Sequence, residues 1–297
     1  MASAKDWIDA ARPKTLGAAI APVLVGTVIG WRFGGQWHPW LAACTLLSCI
    51  ALQVATNWFN DAIDFVKGSD TAERLGPRRI TASGVVTAKQ VLTAACWMLA
   101  IAAALSVPLI LARGWPIVAI GIPSLYFCYG YTGGPAPLAY RGLGELFVIL
   151  FFGLVAVTGS AFVQSGQWHF EALIAGFQIG CLSTVLIAIN NLRDVPEDTK
   201  SGKKTLAVRF GTTFAKWEIT GLIVVALGLN AYWWSLGATN ILGRHPVMFV
   251  IGIWIVVRVW LQSPEHSWNK LLAVSGLYLL VSAISLVSVI DRIVVRH

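Results

Sequence analysis

Charge is scarce in this sequence. Asp, Glu, Lys and Arg make up 12% of its 297 residues, where a soluble domain carries about 25%. With 57% apolar residues and a mean hydropathy of +0.70, that deficit excludes a disordered chain, a coiled coil and an ordinary soluble enzyme. Cysteine is sparse and unpatterned. Cys44, Cys49, Cys96, Cys128 and Cys181 lie in apolar segments without C-x-x-C spacing, which argues against a disulfide framework or a zinc site. His38, His169, His245, His266 and His297 are scattered near segment ends and share no metal-binding spacing. The strict alternation of a membrane β-barrel is missing. So is a small-residue cleavage site after the first apolar run, and residues 1–14 carry acids and a Trp, so the start does not read as a cleavable signal.

Long apolar stretches are plentiful instead. A helix needs about 20 residues to cross the hydrocarbon core, and nine segments reach or approach that length. They are Leu16–Gly30, Trp40–Thr56, Val91–Leu111, Trp115–Tyr131, Leu143–Val163, Ala172–Ile189, Ile219–Leu236, Val247–Leu261 and Leu271–Ile290. The first and eighth are short and should extend into their flanks. Lipid offers no water to open backbone groups, so the expected fold is all-α, a polytopic bundle of nine transmembrane helices. The net charge of +8 then points to orientation, not nucleic acid. Placing the N-terminus inside puts 17 of the 22 Lys and Arg on the inner side, a clear positive-inside bias. Trp31, Trp37, Trp40, Trp115, Trp168, Trp233 and Trp234 cluster at the outer ends, where interfacial anchors belong. The expectation is a multi-pass plasma-membrane protein with a cytoplasmic N-terminus and an external C-terminus.

Two inner loops are long, at about 57–90 and 190–218, and each follows a span that ends in Asn and then Asp. They lie four helices apart. This implies two similar four-helix units, about 15–131 and 143–261, with a ninth helix, in one membrane domain. If the second span continues as a helix, Gln53, Asn57, Asp61 and Asp64 fall at i, i+4, i+8 and i+11 along one face. Asn190, Asp194 and Asp198 repeat the i, i+4, i+8 pattern, although Pro196 interrupts it. Amides and carboxylates facing lipid would be costly, so both stripes must face the bundle interior or a wet cavity.

Two sets of hard oxygen ligands opening to one side suit Mg²⁺, which keeps several waters and is commonly shared with substrate phosphates. The interspersed Lys and Arg would balance the remaining phosphate charge. The pattern points to a diphosphate held by Mg²⁺ against the membrane.

The N-D-x-x-D of the first loop and D-x-x-x-D of the second resemble the UbiA superfamily of intramembrane prenyltransferases, whose members have nine helices. Six blocks are most similar to its naphthoate-prenylating branch: ARPKTL (11–16), APVLVG (21–26), NDAIDFVKGSD (60–70), GPRRITASG (76–84), YTGGPAPLAYRGLGELFV (131–148) and NNLRDVPEDTKSGKKTLAVRFG (190–211). Many members carry a third acid four residues after the second. Here that position is Gly68 and the next acid is Asp70, the K-G-x-D form of the naphthoate branch.

The resemblance implies that a polyprenyl diphosphate ionises to an allylic cation. The cation is attacked by 1,4-dihydroxy-2-naphthoate with loss of CO₂ and diphosphate. It also implies that Asp61, Asp64, Asp194 and Asp198 hold the metal and diphosphate, and that Asn57, Asn60 and Asn190 orient them. Lys67, Arg79 and Lys204 would meet the diphosphate or the naphthoate carboxylate, and Asp70 would join the substrate site. Tyr131 and Arg141 would border the aromatic pocket. Glu145 is either a helix N-terminal acid or part of the site. Other acceptors (4-hydroxybenzoate, homogentisate, haem) are the alternatives within the superfamily. A secondary transporter is the alternative from another class, but its site would lie near the bilayer midplane, where this sequence has almost no ionisable residue.

Overall fold

The computed structural model describes residues 2–69, 79–237, 246–261 and 268–293. Among them there are helices and no strand. A short helix, α1 (Ala4–Ala11), is opened by a reciprocal capping box between Ser3 and Asp6. The long helices follow: α2 (Gly17–Gly34), α3 (Pro39–Val66), α4 (Ala88–Arg113), α5 (Trp115–Gly130), α6 (Gly144–Ser165) and α7 (Phe170–Arg193). Two short helices, α8 (Val195–Lys200) and α9 (Leu206–Phe210), lead into α10 (Thr212–Ser235), α11 (Pro246–Leu261) and α12 (Trp268–Ile290).

Each of the nine expected segments falls on one of these helices. Seven are long and apolar enough to cross a membrane, whereas α5 and α11 are apolar but 16 residues long. The first span extends outward to Gly34, as its flank required. The eighth gains only Pro246 within the described residues. Two differences bear on the site. Helix α3 runs ten residues past the expected end at Thr56, and α7 runs past both Asn190 and Asn191 to Arg193. Both polar stripes therefore begin on continuous helices. Pro196 ends the second one: it sits in the first turn of α8, where its missing N–H costs nothing.

Close packing depends on glycine. Gly26, Gly30 and Gly34 of α2 face Val157, Ala161 and Ser165 of α6. A Cβ on Gly30 would lie 2.4 Å from the Ala161 carbonyl oxygen, and one on Gly26 2.3 Å from that of Val157. Such small-residue stripes let membrane helices approach backbone to backbone. Helix α6 contains a π segment, Ile149–Val155, whose Gly153 meets Gly176 and Gly180 of α7 equally closely. The main core joins α2, α6, α7, α10, α11 and α12, while Ala55, Phe59, Ala95 and Cys128 pack α3, α4 and α5 together.

Among the expected Trp anchors, Trp31, Trp37, Trp40, Trp115, Trp168 and Trp234 are exposed. Trp233 is not. It is fully buried and donates its indole N–H to Gln178 Oε1 at 2.9 Å. Adjacent tryptophans on a helix point about 100° apart, so Trp234 faces outward while Trp233 faces α7.

Candidate active site

The ends of α3, α5 and α7 and the starts of α2, α6 and α12 surround a cleft. Its wall carries Gln53, Asn57 and Asp64 from the first stripe and Asn190 from the second, with their neighbours Asn60 and Asn191. Tyr131, Thr132 and Ser183 add hydroxyls, and Arg12, Arg79 and Lys203 add positive charge. Members of both stripes thus line one cavity.

Of the four carboxylates expected to face a metal, Asp64 lines the cleft. All four are buried, and the other three are engaged by internal partners. Asp61 accepts the backbone N–H groups of Ile80 (3.2 Å) and Thr81 (3.0 Å), pinning the segment that carries Arg79. Asp194 accepts at both carboxylate oxygens from Nε and Nη2 of Arg193, at 2.6 and 2.8 Å, and Arg193 also donates to Asn190 and Asn269. Asp198 pairs with Lys203 at 3.6 Å. Accordingly, among the described residues no three His, Cys, Asp or Glu side chains converge as a ligand set. Mg²⁺ does not need one, since it binds through one or two carboxylates and completes its shell with water and substrate phosphate. The donors suit it: they are hard oxygens, and Gln53 Oε1 and Ser183 Oγ on the cleft wall have no hydrogen-bond partner among the described residues.

The amides also shape the cleft. Asn57 donates to the Ala11 carbonyl (2.9 Å) and to Thr15 Oγ1 (3.3 Å), tying the ARPKTL turn to α3. That turn holds Arg12 at φ 54°, a left-handed conformation unusual for a residue with a side chain, and the Arg12 carbonyl accepts from both the N–H and the hydroxyl of Thr15. Asn60 accepts from the Thr132 hydroxyl. Lys67 donates to the Thr132 carbonyl at 2.7 Å, so the 131–141 connection is a third wall of the site. Burial lowers the pKa of Lys67, with Asp64 opposing that shift and Lys203 adding to it.

Glu145 is buried, and its Oε1 accepts from Asn191 Nδ2 at 2.7 Å. Lys204 and Arg141 are exposed and stand off the cleft wall; Arg141 donates to the Pro135 carbonyl at 3.3 Å. Asp70 lies outside the described residues. Sequence reasoning passed over Arg12, Thr15, Tyr140, Ser183 and Lys203. Arg12, Thr15, Tyr140 and Lys203 sit inside the blocks that carry the family resemblance, which was the available signal. Ser183 lies mid-helix and gave none.

A second, apolar cleft continues from the first, sharing Ala18, Gln53, Thr56, Phe147 and Phe152. It runs on past Leu52, Phe127, Cys128 and Phe151 to Pro22 and Ala156. A polar, cation-lined head with an apolar extension matches a ligand that has a charged end and a hydrocarbon tail.

The chain's relatives agree. The sequence pattern of the UbiA prenyltransferase family matches residues 19–282. A 1,4-dihydroxy-2-naphthoate octaprenyltransferase of Mycobacterium tuberculosis is 39% identical over 227 residues, covering 76% of this chain and 77% of that protein. Two solved structures share the fold. A UbiA homolog from Aeropyrum pernix superposes with a TM-score of 0.68 at 18% identity, over 91% of this chain and 96% of that one. A UbiA homolog from Archaeoglobus fulgidus bound to GPP and Mg²⁺ gives 0.64 at 16%, over 96% and 99%. This multi-pass membrane chain belongs to the UbiA prenyltransferase family.

Proposed function

We propose that the chain transfers a polyprenyl group from polyprenyl diphosphate to 1,4-dihydroxy-2-naphthoate, releasing diphosphate and CO₂ and giving demethylmenaquinol. The observation that carries this reading is the joined pair of clefts, with Asp64, the Asn stripe and three cations at one end and a Phe-lined apolar passage at the other. The 39% identity to the mycobacterial enzyme supports the naphthoate acceptor over the other aromatic acceptors.

In this reading Asp64, with Asp61, Asp194 and Asp198 close behind it, holds Mg²⁺ together with the substrate diphosphate. Bound there, Mg²⁺ neutralises charge on the leaving diphosphate. The chain's own part is electrostatic and steric. Arg12, Arg79 and Lys203 face the leaving group as its charge grows, which lowers the barrier to C–O cleavage. Phe147 and Phe152 stand where the polar head meets the apolar passage, so the allylic carbon forms its cation among rings and away from water. The naphthoate ring attacks that carbon at its carboxyl-bearing position, and loss of CO₂ restores aromaticity. A cleft cation, with Arg79 foremost because it is buried on the wall, balances the acceptor carboxylate. On the same reading, residues 15–131 and 143–261 are two repeats of a four-helix unit, each contributing one Asn/Asp stripe, and the cleft opens to the cytoplasm.

The test uses purified protein, Mg²⁺, a polyprenyl diphosphate and naphthoate labelled in its carboxyl carbon. One labelled CO₂ should be released per prenylated product, and EDTA should abolish both. Product that keeps the label, or a preference for 4-hydroxybenzoate, would overturn the acceptor assignment.

A further inference from the structure

Tyr140 lies in the connection between α5 and α6, off the cleft wall, yet it touches the first polar stripe and the loop that follows the second. Its hydroxyl donates to Asp64 Oδ1 at 2.8 Å and lies 2.7 Å from Ser69 Oγ. Its ring lies 4.1 Å from Lys67 Nζ and 5.8 Å from Lys203 Nζ. Its carbonyl accepts from the backbone N–H of Lys204 at 3.3 Å. Lys67 follows the first stripe and Lys203 the second, so one side chain gathers a cation from each loop. Two ammonium groups brought together repel, and the negative face of an aromatic ring is one of the few neutral surfaces that attracts both.

We propose that Tyr140 is a positioning residue for the diphosphate head group. Its ring holds Lys67 and Lys203 beside the Asp64 carboxylate, so that the incoming diphosphate meets two preset cations, and its hydroxyl keeps Asp64 turned to the cleft. This rests on the reading of the cleft as a prenyl diphosphate site.

The ring and the hydroxyl have separable consequences. Tyr140→Phe keeps the ring, so inorganic diphosphate, titrated calorimetrically into the detergent-solubilised full chain with Mg²⁺, should bind within about twofold of wild type. The Mg²⁺ concentration for half-maximal activity should rise, because Asp64 has lost its donor. Tyr140→Leu removes the ring and should weaken diphosphate binding about tenfold or more, leaving the KM for naphthoate and the thermal midpoint unchanged. A residue that merely packs the turn would shift those last two values. If Tyr140→Leu does not accumulate, Tyr140→Met, of similar length and without a π face, carries the same expectation. A double-mutant cycle adds a second measurement: Lys67→Met and Tyr140→Leu should be non-additive in diphosphate binding. Wild-type affinity in Tyr140→Leu, equal losses in the Phe and Leu variants, or an additive cycle would overturn the role of Tyr140 alone. A wild-type protein that binds no diphosphate would overturn both this role and the reading of the cleft.

Discussion

Asp64 and Asp194 have similar chemistry and different surroundings, so their loss should differ. Asp64 faces the cleft. Asp64→Asn should keep the fold and lower kcat by roughly two orders of magnitude or more, the scale for removing transition-state electrostatics. Asp194 is the bidentate partner of Arg193, and both side chains are buried, at 6% and 2% exposure. Asp194→Asn leaves that guanidinium short of charge compensation, and breaking a buried pair costs about 3 kcal/mol or more. A lowered thermal midpoint should therefore accompany lost turnover in Asp194→Asn and be absent in Asp64→Asn. Lys67 sets a pH limit. Burial disfavours its charged form, so as pH rises it releases its proton below the ordinary lysine value and stops attracting phosphate. The alkaline limb of diphosphate binding should lie below that value. Lys67→Arg, which stays protonated, should move the limb upward; an unmoved limb would assign it to another group.

At the scale of elements, helix contact fixes the geometry of the site. Helix α2 delivers Ala18 to both clefts, and α6 delivers Phe147 and Phe152; the two meet along Gly26, Gly30 and Gly34. The clash partner of a Cβ at Gly30 is a backbone oxygen, which cannot rotate away. Gly30→Ala should lower stability by about 1–3 kcal/mol, the cost of overpacking, and should widen the head-to-tail junction. Thermal unfolding in detergent, with kcat measured beside it, checks both effects. This contact was not legible beforehand. The runs Ala18–Ala19 and Ala102–Ala104 look equally suited to close packing, and nothing local in a uniformly apolar stretch says which stripe meets a partner. The π segment was hidden for the same reason, because its extra residue changes neither composition nor apolar length. What was legible is what lipid punishes. An Asn or Asp at the end of an apolar helix has few places to go, so both stripes were expected to face the bundle interior or a wet cavity, and Asn57, Asp64 and Asn190 line the cleft. Internal partners were illegible: neither Arg193 clamping Asp194 nor backbone amides saturating Asp61 can be read from spacing.

At the scale of the whole molecule, orientation decides whether the cleft can meet its substrates. Every element that lines the polar cleft does so at the end the basic residues assign to the cytoplasm: the start of α2, the ends of α3, α5 and α7, and the starts of α6 and α12. The opposite end carries polar ties between helix ends. Arg113 donates to the carbonyls of Val163 and Gln164 at the end of α6, and Gln164 exchanges hydrogen bonds with the His38 backbone. Exposed positions at each end test this arrangement: Lys89 and Lys200 at the cleft end, Gln36 and Gln167 at the other. Single cysteines placed there, in a background lacking the five native thiols, should divide cleanly with a membrane-impermeant thiol reagent on intact cells. The Gln36 and Gln167 positions should label at once, and the Lys89 and Lys200 positions only after the membrane is opened. The reverse pattern would put the cleft outside, away from soluble aromatic acids made in the cytoplasm. The positive-inside distribution of 17 of 22 basic residues would then have to serve phosphate binding in place of topology. Labelling that pairs Lys89 with Gln167 and Gln36 with Lys200 would require an even number of crossings between positions 89 and 167, which makes the 16-residue α5 the first candidate for a re-entrant path.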